Sequence, residues 1–346
     1  AIAAGTWEHP AAVAAREAEA ARQQSLRGLT VAAWADAWLA DLERTAAAGT
    51  LRKRRSDLRR HILPHLGDRE LADLTSASLA QWWTDLDATP GARRNAYETM
   101  RALLNAAVAD ERTLLEVNPL RIKGGAREAH RVQKYLYSPV EVAALADKMP
   151  AQYRALVVLL ADAGLRINEA LALTRSSLVE REDGGMSVCV KHSLHRVGRH
   201  LEPGPTKTAA GVRAVVLMDS TATTMRAHLR AHVALGPQAI LFPALRGSGY
   251  ARDTALTRLL TAAQDVAGIE IPDGHSGGWH ALRHYSATRY GQAGATTRAL
   301  MTRYGWSDPA MAARYQRSDE DFEREIVARM ASRLEAHDSV ENRPNR

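Results

Sequence analysis

The stretch Trp279-His280-Ala281-Leu282-Arg283-His284, followed by Gly305-Trp306-Ser307-Asp308-Pro309 and then Arg314-Tyr315, decides how this chain is read. Residues three apart on a helix share a face, so His280 and Arg283 project together. The helical pattern runs from His280 to Tyr290 and resumes from Thr296, with Tyr315 near the end of the second segment. Imidazole, guanidinium and phenol are the groups that an attack on a phosphodiester calls for.

Composition sets the bounds. A chain of 346 residues accommodates about two domains. With 46% hydrophobic and 25% charged residues it reads as a soluble globular protein with a core. Lys plus Arg exceeds Asp plus Glu by 46 − 39 = 7, which suits a nucleic-acid partner without demanding one. The single cysteine, Cys189, excludes an internal disulfide and a thiolate-rich metal site, and fits a reducing cytoplasm. The apolar runs, such as 155–161, are too short to span a bilayer, and no basic-then-apolar leader opens the chain. The expected location is the cytoplasm, at the nucleoid. The chain opens at Ala1 without methionine, in a helix-like segment ending at Gly5, which points to missing upstream sequence.

The N-terminal part is helical in pattern. Residues 1–28 hold an Ala/Glu/Arg-rich stretch that suits a solvated connecting helix. After Thr30, a good N-cap, Val31, Trp34, Trp38 and Leu42 recur at helical spacing. A second helix is predicted from near Thr50, with Leu51, Leu58 and Ile62 inward and a stop at Pro64. It carries Arg52, Lys53, Arg54, Arg55, Arg59 and Arg60, dense enough for a phosphate-facing surface, with a merely solvated basic face as the competing reading. Further helices are predicted over 76–86 and 92–111, the latter with Arg93, Arg94 and Arg101. Residues 29–118 thus form an all-α domain of four or five helices. The hydrophobic period then vanishes over 119–137, where Gly124-Gly125 lies among Arg121, Lys123, Arg127, Arg131 and Lys134. That composition predicts a flexible basic linker suited to following a DNA backbone.

The second domain is predicted over 138–335. Ser138-Pro139-Val140-Glu141 is a helix start with a capping box. A helix over 152–163 breaks at Gly164, and the next opens at Leu165-Arg166-Ile167-Asn168-Glu169. Strands are predicted over 186–191 and 212–217, with Thr206-Lys207-Thr208 in the turn region before the second. Helices follow over 221–235, 253–267, from His280 and from Thr296; the polar tail 336–346 is expected to be disordered.

The chemistry follows from residue type. Negative charge deepens on the non-bridging oxygens during phosphoryl displacement, and two guanidinium forks, Arg166 and Arg283, suit that charge. Tyr315 could attack phosphorus and divide the transfer into two steps. Its proton, with a free pKa near 10, needs a base, which His280 could supply. Lys207 could protonate the leaving hydroxyl, and Glu169, one turn from Arg166, could hold that arginine. Such devices can substitute for a metal. Singly, each of these residues has an ordinary explanation as surface charge or core; their order along the chain is far more specific.

Gly164-Leu165-Arg166 with Glu169, Thr206-Lys207-Thr208, His280-Ala281-Leu282-Arg283-His284 with Ala287-Thr288, then Gly305-Trp306-Ser307 and Tyr315, resemble the tyrosine recombinase (phage integrase) family. Arg60-His61-Ile62-Leu63-Pro64 with Gly67, and Asn118-Pro119, resemble its core-binding domain. The resemblance spans Leu29 to about Arg333. It implies a mainly α fold with a small antiparallel β-sheet: a helical core-binding domain and an α+β catalytic domain, clamped around duplex DNA. It also implies phosphate binding by Arg166 and Arg283, a 3′-phosphotyrosyl link at Tyr315, and protonation of the 5′-hydroxyl by Lys207. His280 would assist proton transfer, Trp306 would pack and hydrogen-bond at the site, and Glu169 would support them. Arg52, Arg55, Arg59, Arg93, Arg94, Arg101, Lys123 and Arg127 are the candidate DNA-binding residues. The implied partners are double-stranded DNA with inverted-repeat core sites, a homotetramer on synapsed DNA, and accessory DNA-bending or directionality proteins. No cofactor, metal or membrane is implied.

Two features depart from the pattern or compete with it. Trp306 stands where many members carry histidine, which excludes acid–base duty there. His275 lies near the motif but lacks the Leu and Arg that follow His280. Gly5-Thr6-Trp7 with Pro10 resembles the junction after a small arm-binding domain, so such a domain is expected to precede this chain. The competing functions are a type IB topoisomerase, which relaxes DNA by the same covalent chemistry, and a non-catalytic DNA-binding regulator on the same fold.

Overall fold

The computed structural model describes residues 9–125, 132–198, 200–247 and 249–316, with 323–324, 327–328 and 330–331. The expectations at Gly5 to Trp7, at Arg127 and Arg131, and in the tail from 336 lie outside the described residues. The chain divides into two compact units, Ala1–Arg131 and Val132–Arg346.

The first unit is helical. Helix α1 (Pro10–Arg27) buries none of its residues, as its charge pattern requires. The Thr30 hydroxyl accepts from the Ala33 amide at 3.2 Å and starts α2 (Val31–Thr45). Then come α3 (Ala48–Asp57), a π turn over Leu58–Ile62, α4 (Leu63–Leu66), α5 (Ser76–Asp85) and α6 (Pro90–Val108). The predicted stop at Pro64 is wrong. Proline has no amide hydrogen and its ring crowds the preceding turn. The π turn resolves this by widening the backbone, so that the Leu63 amide reaches the Leu58 carbonyl and the helix runs on to Leu66.

Trp34, Trp38, Leu58, Ile62, Trp82, Met100 and Leu103 form the core of this unit. Two of the buried tryptophans also satisfy their N–H groups: Trp34 donates to the Leu103 carbonyl at 3.1 Å and Trp82 to the His61 carbonyl at 2.8 Å. The segment predicted to be a flexible linker is anchored in its described parts. Leu120 is buried in the helical core and Gly125 lies against the Tyr97 ring, too close for a Cβ.

In the second unit β1 (Gln133–Lys134) leads into α7 (Pro139–Lys148), with the Ser138–Glu141 capping box in place. Helix α8 (Ala151–Ala163) is the central element: Leu156, Val157, Leu159 and Leu160 are buried, and it packs on α7, α10 (Asp219–His232) and α12 (Trp279–Gln292). Gly164 ends α8 in the left-handed conformation (φ 62°), and α9 (Ile167–Leu171) follows. Strands β2 (Leu178–Glu180), β3 (Met186–Val190) and β6 (Arg213–Val216) form an antiparallel sheet with β3 in the middle, in a register that places Val188 opposite Val215.

Between β3 and β6 a separate hairpin pairs β4 (His192–Val197) with β5 (His200–Pro205). Sequence reading left this as a polar segment, because only Leu194 of its residues is buried and no inward face shows in the pattern. Helix α11 (Asp253–Val266) and β7 (His275–Ser276) precede α12; α13 (Thr297–Tyr304) and α14 (Pro309–Ala313) follow it. Strand β7 pairs parallel with β1, a contact of two residues per strand that no periodicity could announce. No helix among the described residues is long and apolar enough to cross a membrane.

Truncating Trp82 tests the first unit's core. Trp82→Ala should cost about 3–5 kcal/mol through the cavity it leaves, read as a lower urea midpoint.

Candidate active site

Five segments carry the site in the second unit: the α8–α9 junction, the turn after β5, strand β6, helix α12 and the run from α13 to Tyr315. Arg166 is the N-cap of α9, and Glu169 closes a box around it. The Arg166 guanidinium donates to Oε1 of Glu169 at 2.7 Å, and its backbone amide donates to Oε2 at 3.0 Å. Glu169 is itself buried (1% exposed), and a second cation meets it from β6: Arg213 donates to Oε2 at 2.9 Å. Burial alone would raise the Glu169 carboxyl, but the charge and hydrogen bond of Arg213, aided by Arg166, outweigh it and hold the carboxyl below its ordinary range.

Arg213 does more than neutralise Glu169. Its Nε donates to the Arg303 carbonyl and its Nη1 to the Gly211 carbonyl, both at 2.8 Å. One buried guanidinium therefore ties Arg166, the turn carrying Lys207 and the end of α13. Gly305, in the left-handed conformation after α13, passes so close that a Cβ would meet the Ala210 carbonyl and the Arg213 guanidinium. Lys207 itself is exposed on its turn, outside the hydrogen-bonded and stacked cluster; Thr206, whose hydroxyl donates to the Thr208 carbonyl at 2.7 Å, shapes that turn.

Arg283 is buried on α12 (3% exposed) and donates to the Gly164 carbonyl at 2.7 Å and to the Tyr304 carbonyl. Burial, with Arg166 beside it, pulls its pKa down to about 9, still charged at neutral pH. His280 keeps part of its ring open to solvent. The surrounding protein, together with Arg283, Lys134 and Arg166, holds its pKa down to about 4, so it is neutral at pH 7.

Three aromatic rings form a stack. Trp306 lies 5.0 Å from Tyr304 and 5.2 Å from Tyr315, the latter within 13° of parallel. The Arg283 guanidinium stands 5.6 Å from the same Trp306 ring. Tyr304 is fully buried, with its hydroxyl 2.8 Å from that of Ser286. Tyr315 reaches its place because Gly291 of α12 has no side chain: a Cβ there would lie 1.9 Å from the Tyr315 carbonyl oxygen.

The contacts thus gather Arg166, Glu169, His280, Arg283, Trp306 and Tyr315 around one cluster. The imidazole within hydrogen-bond reach of the Tyr315 hydroxyl is that of His284, with Nδ1 at 3.1 Å. His284 stands four residues after His280 on the same helical face, and that spacing was the available sequence signal. Arg213 was missed too, although it alternates with Val215 and Leu217 as an inward position of a strand. The ion pair of Asp162 with Arg303 (2.8 Å), which supports α13, had no sequence signal.

Among the proposed DNA contacts, Arg93 is committed inside its own unit. It donates to the Leu86 and Trp83 carbonyls, both at 2.6 Å, and lies over the Trp83 ring, closing the end of α5. Arg55 pairs with Glu43, and Arg94 with Glu98 at 3.1 Å. Arg52, Arg59, Arg101 and Lys123 are exposed. Among the described residues no group of three or more His, Cys, Asp or Glu is placed to hold a metal ion.

Comparison with known proteins gives the class. A model described as the phage integrase family matches residues 136–321, and one described as the phage integrase N-terminal SAM-like domain matches 30–86. The chain is 34% identical to an integrase of Mycobacterium phage FRAT1 over 318 residues, covering 91% of each. It is similar in fold to the Tn1549 transposon integrase, solved in complex with transposon right-end DNA. That match has a TM-score of 0.72 and 16% identity, and covers 87% of this chain and 99% of that one. It is similar also to lambda integrase, solved as a tetramer bound to a Holliday junction (TM-score 0.62, 18% identity, 91% and 90% covered). The chain belongs to the phage integrase family, the tyrosine recombinases, and is an integrase-type site-specific DNA recombinase.

Two substitutions test the scaffold of the site. Gly291→Ala should displace Tyr315 and slow DNA cleavage at least about 100-fold, since small misplacements of reacting groups cost that much, with circular dichroism unchanged. Arg213→Met leaves Glu169 buried with one partner fewer and should cost about 3–5 kcal/mol at pH 7. In the wild type the lowered carboxyl stabilises the fold above its unfolded pKa, and that contribution is lost as pH falls through the lower folded value. Losing Arg213 raises the folded value, so the stability gap between the two proteins should narrow as pH falls through the carboxylate range. Urea denaturation at pH 7 and pH 4 reads this.

Proposed function

We propose that this recombinase cleaves DNA through Tyr315, which attacks the scissile phosphate and forms a 3′-phosphotyrosyl link while the 5′-oxygen departs. The observation that carries the reading is the shared support of nucleophile and clamp: Trp306 stacks on Tyr315 and carries the Arg283 guanidinium beside the same ring. Arg166 and Arg283 hold the non-bridging oxygens, where charge deepens during displacement. Glu169 orients Arg166. Lys207, exposed on its turn, delivers a proton to the leaving 5′-oxygen, and His280 assists at the phosphate. Trp306 cannot carry a proton and serves as the packing wall for the nucleophile. The phosphoester bond energy stays in the covalent intermediate, so strand exchange needs no nucleotide.

In the same reading both units contact duplex DNA bearing inverted-repeat core sites, and four protomers act on two synapsed sites at the nucleoid. Arg52, Arg59, Arg101 and Lys123 serve as backbone contacts on the first unit. Integration or excision of a mobile element is the biological outcome, with DNA-bending or directionality proteins as accessory partners.

Trapping on a nicked suicide duplex tests this reading. Intact protein should accumulate a covalent adduct. Tyr315→Phe should form none, yet bind the intact duplex with a salt dependence like that of the wild type; an adduct from that variant would exclude Tyr315.

A further inference from the structure

The Tyr315 hydroxyl is not presented to bare solvent. Nδ1 of His284 lies 3.1 Å from it, and the two rings sit 5.3 Å apart at 60°, so the imidazole edge meets the phenol oxygen. Trp306 stacks on the face of Tyr315, within 13° of parallel, and leaves the hydroxyl edge to His284. His284 follows Arg283 directly on α12, a helix anchored by buried Trp279, Leu282, Arg283 and Ser286. The imidazole is therefore mounted on the same rigid element as the phosphate clamp.

We propose that His284 is the general base for the nucleophile, a catalytic residue beyond the six gathered from the sequence motifs. The proposal rests on the reading of Tyr315 as nucleophile. The neutral imidazole carries its proton on Nε2 and accepts the phenol proton at Nδ1. As that O–H bond breaks, the phenolate oxygen forms the new bond to phosphorus. The bond from phosphorus to the 5′-oxygen breaks, and that oxygen takes its proton from Lys207. In the rejoining step the 5′-hydroxyl gives its proton back to the lysine and attacks phosphorus, and the departing phenolate recovers its proton from the His284 imidazolium. No proton is gained or lost over the cycle.

The surroundings suit this task. The charged and titratable groups around His284 are Lys134 from β1, His280 and Arg283 from α12, and Tyr315 itself. Burial, with the Lys134 charge, pushes the His284 imidazole below its ordinary value, so it is a free base at neutral pH. His280, one turn earlier and also neutral, is then left to hydrogen-bond the phosphate. Strand β1 gains a purpose too. Its pairing with β7, four residues before His280, brings Lys134 to the histidine pair.

Single-turnover cleavage of a nicked suicide duplex tests the proposal. His284→Ala should form adduct about 100-fold more slowly or worse, the usual range for losing a general base. His284→Asn places an acceptor oxygen near the Nδ1 position but cannot take a proton, and should stay slow. A wild-type rate from either variant overturns the proposal, and from the asparagine variant it would mean that only a hydrogen bond was needed. A substrate whose 5′-leaving atom is sulfur, a group that departs without a proton, should rescue Lys207→Ala but not His284→Ala; rescue of the latter would place His284 on the leaving group instead. The wild type gives a reading that needs no variant. Its rate should level off above about pH 6.5, where the imidazole is neutral. A tenfold rise per pH unit up to pH 9 would mean that hydroxide, not His284, removes the proton. An adduct from Tyr315→Phe would instead defeat the nucleophile assignment and leave the kinetic results on His284 to be read separately.

Discussion

A buried carboxylate between two arginines holds the catalytic unit in register. Glu169 accepts from Arg166 on one side and Arg213 on the other, and Arg213 carries the connection on to the Lys207 turn and the end of α13. Removing charges from water costs several kcal/mol per ion, and only dense pairing repays it. Glu169 and Arg213 meet that condition, since each is nearly excluded from solvent and each makes several bonds. The consequence is geometric. Segments separated by more than a hundred residues in the chain share one polar junction, and none can shift without breaking a buried hydrogen bond.

Tyr315 is placed by a different kind of constraint, close approach at glycines that have no side chain. Gly164 must adopt a left-handed conformation and also leave space for the Tyr304 ring, which would lie 2.2 Å from a Cβ. Gly291 gives the Tyr315 carbonyl room against α12, and Gly305 lets the turn after α13 settle on the Arg213 junction. The aromatic stack of Tyr304, Trp306 and Tyr315 then fills the remaining space. A tryptophan at this position offers a broad flat face in place of a titratable ring, and both neighbouring tyrosines stack on it.

Much of this was legible because it is local. The capping box at Ser138, the α8 stop at Gly164 and the Thr30 cap depend on residues a few positions apart, where spacing alone fixes the geometry. The Arg166–Glu169 pair was readable for the same reason. What failed was either too short or too polar to leave a period, as with β1, β7 and the β4–β5 hairpin, or depended on an uncommon turn, as at Pro64. Arg93 shows a further limit: an arginine in a basic run reads as a phosphate contact, whereas two carbonyls at the end of α5 and the Trp83 ring occupy it.

By itself the sequence determined the class of chemistry, since the types and order of Arg166, Lys207, His280, Arg283, Trp306 and Tyr315 are a property of the chain. It also determined the mostly helical elements, whose hydrophobic spacing is written residue by residue. Tertiary structure decided which imidazole meets the Tyr315 hydroxyl and which cation completes the buried carboxylate. Both His280 and His284 sit on one helical face, so spacing cannot choose between them. The choice is made by where Gly291 and Trp306 allow Tyr315 to lie, and packing across distant segments sets that position.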